Sequence, residues 1–437
     1  MRVLKEEEFV GISRFYTEGE GVGGKLRFIP EDFKVMETPK ELPRDENGNF
    51  LILSVTAKNW ETNKLIRELS KALHISRNRI GFAGTKDKRA VTTQLLSVYH
   101  PNKELPDVNI RDVSVKVLYR SNKGLEIGDL SGNRFEVVIR LIDGDKKGVE
   151  HKVKALVDEL LTLGGFPNFY GIQRFGVIRP VTHLVGKHIV GGNLEKAVDL
   201  YLTYFSESES EEEKYARKRF ARERDANEAL SYFPKNLIFE RAILNELVKK
   251  PEDYVSALKV LPKNLLLMFV FAYQSYLFNL MLSRRIKEGL PINSAVVGDL
   301  IAPFSGGEYE DKFIPVTKRN LDRVNKAIGK GKAAVTGVLV GYSTPFADGA
   351  MGEIEHGVVE EEGLDEREFI IPEIPFLSSP GGRRALLSPF FDFKWSYGDD
   401  ELNDKKLAVK MSFTLRKGCY ATSLLREFMK AEDIRCY

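Results

Sequence analysis

Cysteine is nearly absent from this sequence, with only Cys419 and Cys436 among 437 residues. Two cysteines are too few for a disulfide framework, and their spacing is not that of a zinc site. The six histidines show no metal-ligand arrangement either. We therefore expect no structural metal in this protein.

Long apolar runs and an excess of one charge are missing as well. No segment reaches the roughly 18 consecutive apolar residues of a membrane span, and the acidic residues 6–8 do not fit a secretory signal. We expect a cytoplasmic protein that binds no membrane. The net charge of +3 neither indicates nor excludes a nucleic-acid partner, because such binding depends on where Lys and Arg cluster.

Cofactor motifs are also lacking. The glycines within residues 19–24 have neither the preceding strand nor the following helix of a dinucleotide site, and residues 329–332 lack the spacing of a P-loop. The sequence therefore predicts no cofactor.

The composition is that of a globular protein, with 43% hydrophobic and 30% charged residues. The length favours two compact units. Residue spacing predicts strands over residues 50–56, 91–99 and 135–141, a helix capped by Thr62, and another helix over residues 264–287. Residues 206–213, rich in Ser and Glu, are predicted to form a solvated loop. The mixture of predicted helices and strands is that of an α+β protein. After about residue 178 the sequence changes to charged stretches and a strong helical pattern, which indicates an inserted domain.

One charged loop holds a carboxylate among cations. Asp87 lies between Lys86 and Lys88 in the segment 84–89. Neighbouring cations favour the ionised form of a carboxylate, so Asp87 is a candidate nucleophile or base, and the same cations could hold phosphates. Read alone, the segment also fits a surface turn with compensating charges.

Two further segments combine polar and aromatic side chains. Residues 168–176 offer amides, aromatic rings and an Arg, which are groups that read unstacked RNA bases, although core packing is the simpler reading for Phe169 and Phe175. Residues 413–422 run from a strand through a basic turn into a helix, where Tyr420 could line a base pocket. The alternative is an ordinary corner capped by Thr422.

Taken in chain order, these segments resemble the motifs of the TruD family of tRNA pseudouridine synthases. The matching segments are Arg27 with residues 30–33, residues 83–88, residues 168–176 and residues 413–427, and residues 272–279 resemble the family's variable domain. The resemblance implies an α+β pseudouridine synthase fold with a mixed, mainly antiparallel sheet over residues 1–178 and 375–437. It also implies an inserted α/β domain over residues 179–374.

The resemblance also implies roles, carried over by position. Asp87 matches the catalytic aspartate, Arg27 the basic residue that pairs with it, and Tyr170 the ring that stacks on the target uracil. Phe33, Asn168 and Tyr420 match base-contacting positions. Together with Lys86, Gln173 and Arg174 from the charged and polar segments above, they are the predicted substrate-binding residues. Tyr420 stands where bacterial members have Phe, and Arg416-Lys417 stands where they often have Pro plus a small residue, which bears on substrate choice.

The implied reaction converts uridine to pseudouridine in tRNA, usually at uridine 13 of the D-arm, with position 35 a further target of archaeal members. Asp87 either attacks the ribose or helps to remove a ribose proton. We expect a monomer that needs no obligate protein partner. Two other functions remain open: a tRNA-binding or remodelling protein without catalysis, and a hydrolase that pairs Asp87 with Glu31 or Asp32.

Overall fold

The computed structural model describes residues 2–40, 42–86, 88–100 and 108–437. Its α-helices are α1 Lys5–Phe9, α2 Thr62–Ala72, α3 Lys146–Leu163, α4 Thr182–Val190, α5 Leu194–Thr203, α6 Glu211–Glu223, α7 Ala226–Tyr232, α8 Ile238–Lys249, α9 Tyr254–Lys259, α10 Lys263–Lys287, α11 Leu321–Gly329, α12 Gly349–Glu361 and α13 Ala421–Met429. Short 3₁₀ helices lie at Pro30–Asp32, Arg77–Arg79, Ile172–Arg174, Glu366–Phe369, Pro375–Leu377 and Ile434–Cys436.

The strands are β1 Phe33–Pro39, β2 Phe50–Lys58, β3 Ile80–Phe82, β4 Val91–Tyr99, β5 Val113–Ser121, β6 Leu130–Ile142, β7 Phe166–Pro167, β8 Leu300–Ser305, β9 Glu308–Tyr309, β10 Ile314–Pro315, β11 Ala333–Leu339, β12 Gly382–Ala385, β13 Leu387–Ser388, β14 Phe390–Asp399 and β15 Leu407–Arg416. The chain forms two compact units. Unit 1 comprises Tyr16–Phe166 and Ser388–Tyr437, and unit 2 comprises Arg2–Phe15 and Pro167–Leu387. The assignment of a catalytic domain and a domain inserted over residues 179–374 remains a prediction.

A mixed sheet of eight strands forms the centre of unit 1. Its order is β14-β15-β6-β1-β4-β2-β5, and β3 also pairs with β4. The strands β1 and β4 are parallel, whereas the other described pairs of this sheet are antiparallel. The predicted α+β class with a mixed, mainly antiparallel sheet is therefore confirmed.

Two groups of helices bury the apolar sides of this sheet. Val153, Leu156 and Leu160 of α3 recur every three or four residues and share one core with α13 and with the central strands β1, β6 and β15. Helix α2 packs in the same way on β2, β3 and β4. Its cap is Glu61, whose carboxylate accepts from the free N–H groups of the first turn, so the prediction that Thr62 caps this helix was wrong.

Unit 2 surrounds the long helix α10 with further helices and one small sheet. The apolar core includes buried residues of α4, α5, α8, α10 and α12. The sheet has the order β10-β8-β11-β12, with the short strand β9 also pairing with β8, and its described pairs are antiparallel. Within the described ranges, α10 alone is long and apolar enough to cross a membrane, judged by length and composition. Of its most apolar window, 67% is buried within the protein, as in the core helix of a globular domain.

The predicted strand over residues 91–99 and the predicted helix over residues 264–287 are found at Val91–Tyr99 and Lys263–Lys287. The solvated loop predicted over residues 206–213 is wrong at its C-terminal end. Ser210 caps α6, and three glutamates form the first turn, where the helix dipole favours negative charge. Glu209 is buried and accepts a hydrogen bond of 2.9 Å from Arg217 Nε.

Candidate functional site

The loop between β3 and β4 carries the candidate catalytic segment. Asp87 itself lies outside the described residues. Its neighbour Lys86 donates its backbone N–H to Thr62 Oγ1 at 2.8 Å, and its ammonium lies 2.5 Å from Glu37 Oε2. The two charged side chains are only 6% and 1% exposed. Because removing either charge would leave the other unpaired in the interior, this ion pair holds the loop against β1. The hydrogen bond to Thr62 holds the loop against α2.

The C-terminal motif, residues 413–427, lies at the same end of the central strands as the Glu37–Lys86 pair. Glu37 on β1 and Leu415 on β15 are both opposite Asn133 of the intervening strand β6. Two strand spacings separate their backbones by about 10 Å. The chain then turns through Gly418, whose φ of +77° suits glycine, and reaches the half-buried Tyr420 directly before α13. Lys86 and the turn that leads to Tyr420 are therefore brought to one region of unit 1.

Arg27 and Phe33 form a second contact in unit 1. The Arg27 guanidinium lies over the Phe33 ring, with Cζ 4.1 Å from the ring centroid. Such a cation–π contact contributes about 0.5–2 kcal/mol. Arg27 has a φ of +53°, which non-glycine residues adopt rarely and which occurs often at functional sites. Phe33 is only 1% exposed, so its clearest role is to support Arg27, and its contact with a base stays a prediction.

In unit 2, Asn168 is held in a dense hydrogen-bond network. Its Nδ2 donates to the Ala385 carbonyl at 2.9 Å, and its Oδ1 accepts from Arg384 Nη2 at 2.5 Å. Arg384 Nε also donates to the Asn168 carbonyl at 3.1 Å. Asn168 is 4% exposed. These hydrogen bonds fix the Asn168 amide in place.

Tyr170 is fixed through both its backbone and its ring. Its N–H donates to Asn279 Oδ1 at 2.9 Å, and its carbonyl accepts from Asn279 Nδ2 at 3.0 Å. Arg384 Cζ lies 4.1 Å from the centre of the ring, and Phe278 contacts the ring edge-on at 5.7 Å. The half-buried ring is thus set firmly beside a cation, which suits a group that meets RNA.

Gln173 and Arg174 follow in the 3₁₀ helix Ile172–Arg174, and both are half-buried. Arg174 Nε donates to Ser275 Oγ at 3.3 Å, and its Cζ lies 5.7 Å from the Tyr170 ring centroid. Unit 2 therefore brings together Asn168, Tyr170 and Arg174. Phe169 and Phe175 are buried in the core, as the simpler reading of this segment predicted.

Glu31 and Asp32, the two acids named in the hydrolase alternative, both form ion pairs within unit 1. Asp32 is 1% exposed and accepts from Arg140 Nε at 2.8 Å and from the Ile29 N–H at 3.0 Å. Glu31 is bonded to Lys58, and this hydrogen bond lowers the pKa of the Glu31 carboxyl. The lowered pKa of Glu31 does not suit a general acid, which needs a raised pKa, and Asp32 is already held by Arg140. Within the described ranges, no group of three His, Cys, Asp or Glu residues could hold a metal ion.

Three residues of these contacts were missed by the interpretation of the sequence. Glu37 pairs with Lys86 across 49 residues, and Arg384 contacts Asn168 from 216 residues away. Asn279 lies in the segment 272–279 that resembles the family's variable domain, but nothing in its local sequence indicates that it contacts Tyr170.

Comparisons with known proteins agree with this arrangement of motifs. The sequence model of the tRNA pseudouridine synthase D (TruD) family matches residues 9–428. A protein of Methanococcoides burtonii named "Probable tRNA pseudouridine synthase D" is 45% identical over 432 residues, which cover 98% of each chain. A protein of Thermococcus sibiricus with the same name is 37% identical and covers 97% of this chain and 99% of its own.

A crystal structure assigned to tRNA pseudouridine synthase D from Methanosarcina mazei has the same fold. Its TM-score is 0.85 at 43% identity, and the match covers 98% of this chain and 99% of the other. Because the family match spans nearly the whole chain and the relatives are well above 30% identical, this chain belongs to the tRNA pseudouridine synthase D (TruD) family.

Proposed function

We propose that this protein converts uridine to pseudouridine in tRNA, with uridine 13 of the D-arm as its target and the Asp87 carboxylate as its catalytic group. The family match over residues 9–428 carries the proposal, and relatives named tRNA pseudouridine synthase D support it. Asp87 belongs to the segment 83–88 that resembles the family's catalytic motif.

The reaction is an isomerisation, so its atoms balance without a co-reactant. The bond from C1′ to N1 breaks, the uracil rotates, and a bond from C1′ to C5 forms. The proton on C5 is released, and N1 gains a proton. A carboxylate that acts on the nucleoside is sufficient for this chemistry, which requires neither an oxidant nor a reductant. The proposal accordingly assigns the protein no cofactor.

The target base must leave the helical stack before it reacts, which costs a few kcal/mol. Stacking on an aromatic ring contributes about 1–3 kcal/mol per base and offsets that cost. We assign this stacking to Tyr170, whose position is fixed by Asn279 and Arg384. Phe33, Asn168 and Tyr420 are assigned to base contacts.

The remaining roles are electrostatic. Arg27 pairs with Asp87, while Lys86, Gln173 and Arg174 bind the substrate. The ion pair with Glu37 gives Lys86 a positioning role in addition, because it restrains the residue next to Asp87. We further propose that the protein works in the cytoplasm as a monomer, with tRNA as its partner.

Conversion of an unmodified tRNA transcript by the purified protein tests this proposal. We expect pseudouridine at position 13 and none in a transcript with cytidine at that position. Binding without conversion would support the non-catalytic alternative. Release of free uracil would support the hydrolase alternative. The pairing of Glu31 with Lys58 and of Asp32 with Arg140 argues against that alternative. Conversion at position 35 in place of 13 would overturn the target assignment alone.

A further inference from the structure

Positive charge is concentrated in one short segment of unit 2. Residues 312–332 contain seven Lys or Arg residues and one acidic residue, Asp322. The formal charge of the segment, seven minus one, is +6 and exceeds the +3 of the whole chain. The rest of the chain is therefore net negative. Such clustering is the electrostatic footprint of a polyanionic partner.

Four of these cations follow one side of α11. They are Arg319, Arg323, Lys326 and Lys330, and we call them the α11 basic row. Their intervals of four, three and four residues correspond to about 6, 4.5 and 6 Å along a helix axis. Arg319 precedes the helix, but the bond of 3.1 Å from the Leu321 N–H to the Thr317 carbonyl continues the helical pattern through its turn.

The opposite side of α11 is anchored in unit 2. Val324 is buried, and the Asn325 side chain accepts from the Ala295 N–H at 2.7 Å and donates to the Ala295 carbonyl at 3.1 Å. These contacts fix the rotation of the helix about its axis. The α11 basic row consequently faces outward, and all four of its residues are exposed.

The four cations have no carboxylate partner within the described part of the chain, whereas other cations of unit 2, such as Lys187 with Glu362 and Arg284 with Glu361, form ion pairs. Like charges one turn apart destabilise a helix by about 0.2–0.5 kcal/mol per pair. The row thus combines exposure, mutual repulsion and a free set of donors. An anionic ligand relieves the repulsion and satisfies the donors.

We propose that the α11 basic row binds the sugar-phosphate backbone of tRNA and supplies affinity without reading sequence. This inference rests on the proposed function, which identifies the RNA. It adds a phosphate-binding surface to the residues already assigned to the uridine, and it predicts that binding and catalysis are separable on this protein.

The test compares two triple variants of the full chain. In the first, Arg323→Gln, Lys326→Gln and Lys330→Gln neutralise most of the row. The matched control, Lys249→Gln, Lys250→Gln and Lys259→Gln, removes the same charge from exposed lysines at the ends of α8 and α9 in the same unit. Fluorescence anisotropy measures the Kd for unmodified tRNA at several salt concentrations, and initial rates at saturating tRNA give kcat.

For the row variant we expect the slope of log affinity against log salt to fall in magnitude by about 2–3, since each phosphate contact contributes roughly 0.7–0.9. Its kcat should stay at the wild-type value, and the control should keep the wild-type slope. The single variant Lys326→Gln should lower the slope by about 0.7–0.9 and serves if the triple variant does not fold.

A row variant that keeps the wild-type salt slope while the wild-type protein forms pseudouridine would overturn the inference and leave the proposed function intact. A wild-type protein that binds tRNA through the row but forms no pseudouridine would sink the proposed function alone. If the row variant instead loses binding to phosphatidylserine vesicles and keeps its affinity for tRNA, the row binds a membrane surface and the inference is wrong.

Discussion

Replacement of Asn279 by Ala tests whether the position of Tyr170 matters for the reaction. Asn279 is fully buried, and its amide forms three hydrogen bonds, two with the backbone of Tyr170 and one with the Val10 carbonyl at 2.9 Å. Each such bond contributes about 0.5–1.5 kcal/mol net, so the loss of all three costs on the order of 3 kcal/mol. For a domain of this size, that cost lowers the Tm of unit 2 by about 6–12 °C.

The same substitution releases the backbone that carries the proposed stacking ring. A misplacement of about 1 Å at a reacting group can cost roughly 100-fold in rate. We expect kcat for pseudouridine formation to fall by about 10- to 100-fold, measured at saturating tRNA and at a temperature where the variant is folded. The affinity for tRNA should change little, since Asn279 is buried away from solvent.

Ser283→Ala is the matched control for this experiment. Ser283 lies one turn further along α10, and its hydroxyl bonds the Gly11 carbonyl at 2.7 Å and the Ser13 N–H at 3.1 Å, without contacting Tyr170. We expect it to lower the Tm and to leave kcat at the wild-type value. If both variants lose stability and both keep full activity, the positioning of Tyr170 is irrelevant and the reasoning is refuted.

Two further predictions concern buried charge. Burial among the rings of Phe9, Phe175 and Tyr276 lowers the pKa of His183 to about 3. His183 therefore stays neutral in the folded state, while the unfolded state binds a proton below about pH 6.5. Stability should therefore fall as pH drops from about 6.5 towards 3, by up to about 1.4 kcal/mol per pH unit, and denaturant titrations of His183→Phe at pH 5 and 7 should show a weaker fall. Glu37→Gln leaves the Lys86 ammonium without its counter-charge and should cost about 3 kcal/mol in the same titrations, together with a lower kcat. An unchanged pH dependence in the first variant, or wild-type stability in the second, would contradict these assignments.

Local sequence patterns predicted much of the secondary structure. The strand Val91–Tyr99 and the helix Lys263–Lys287 agree with the predicted ranges within one residue, because side-chain periodicity reflects which face is buried. The acidic segment before α6 was misread because Glu209 is neutralised by Arg217, eight residues further along, which only the folded chain reveals. Charge runs alone do not show such pairing.

The site was predictable only as separate segments. The motifs around Asp87, residues 168–176 and Tyr420 are visible in the sequence, but the groups that hold them come from distant segments. Glu37 fixes Lys86 from β1, and Asn279 fixes Tyr170 from α10. These supporting residues have no local signature, because a buried amide or carboxylate in a regular strand or helix looks the same whether or not it positions a functional group.

The most direct test of the central claim is a single-turnover assay of pseudouridine formation at uridine 13 by the wild-type protein, Asp87→Asn and Glu31→Gln. We predict that Asp87→Asn binds the tRNA and yields no detectable product, while Glu31→Gln reacts at close to the wild-type rate. Conversion by Asp87→Asn at a rate near that of the wild type would contradict the assignment of the reaction to this carboxylate.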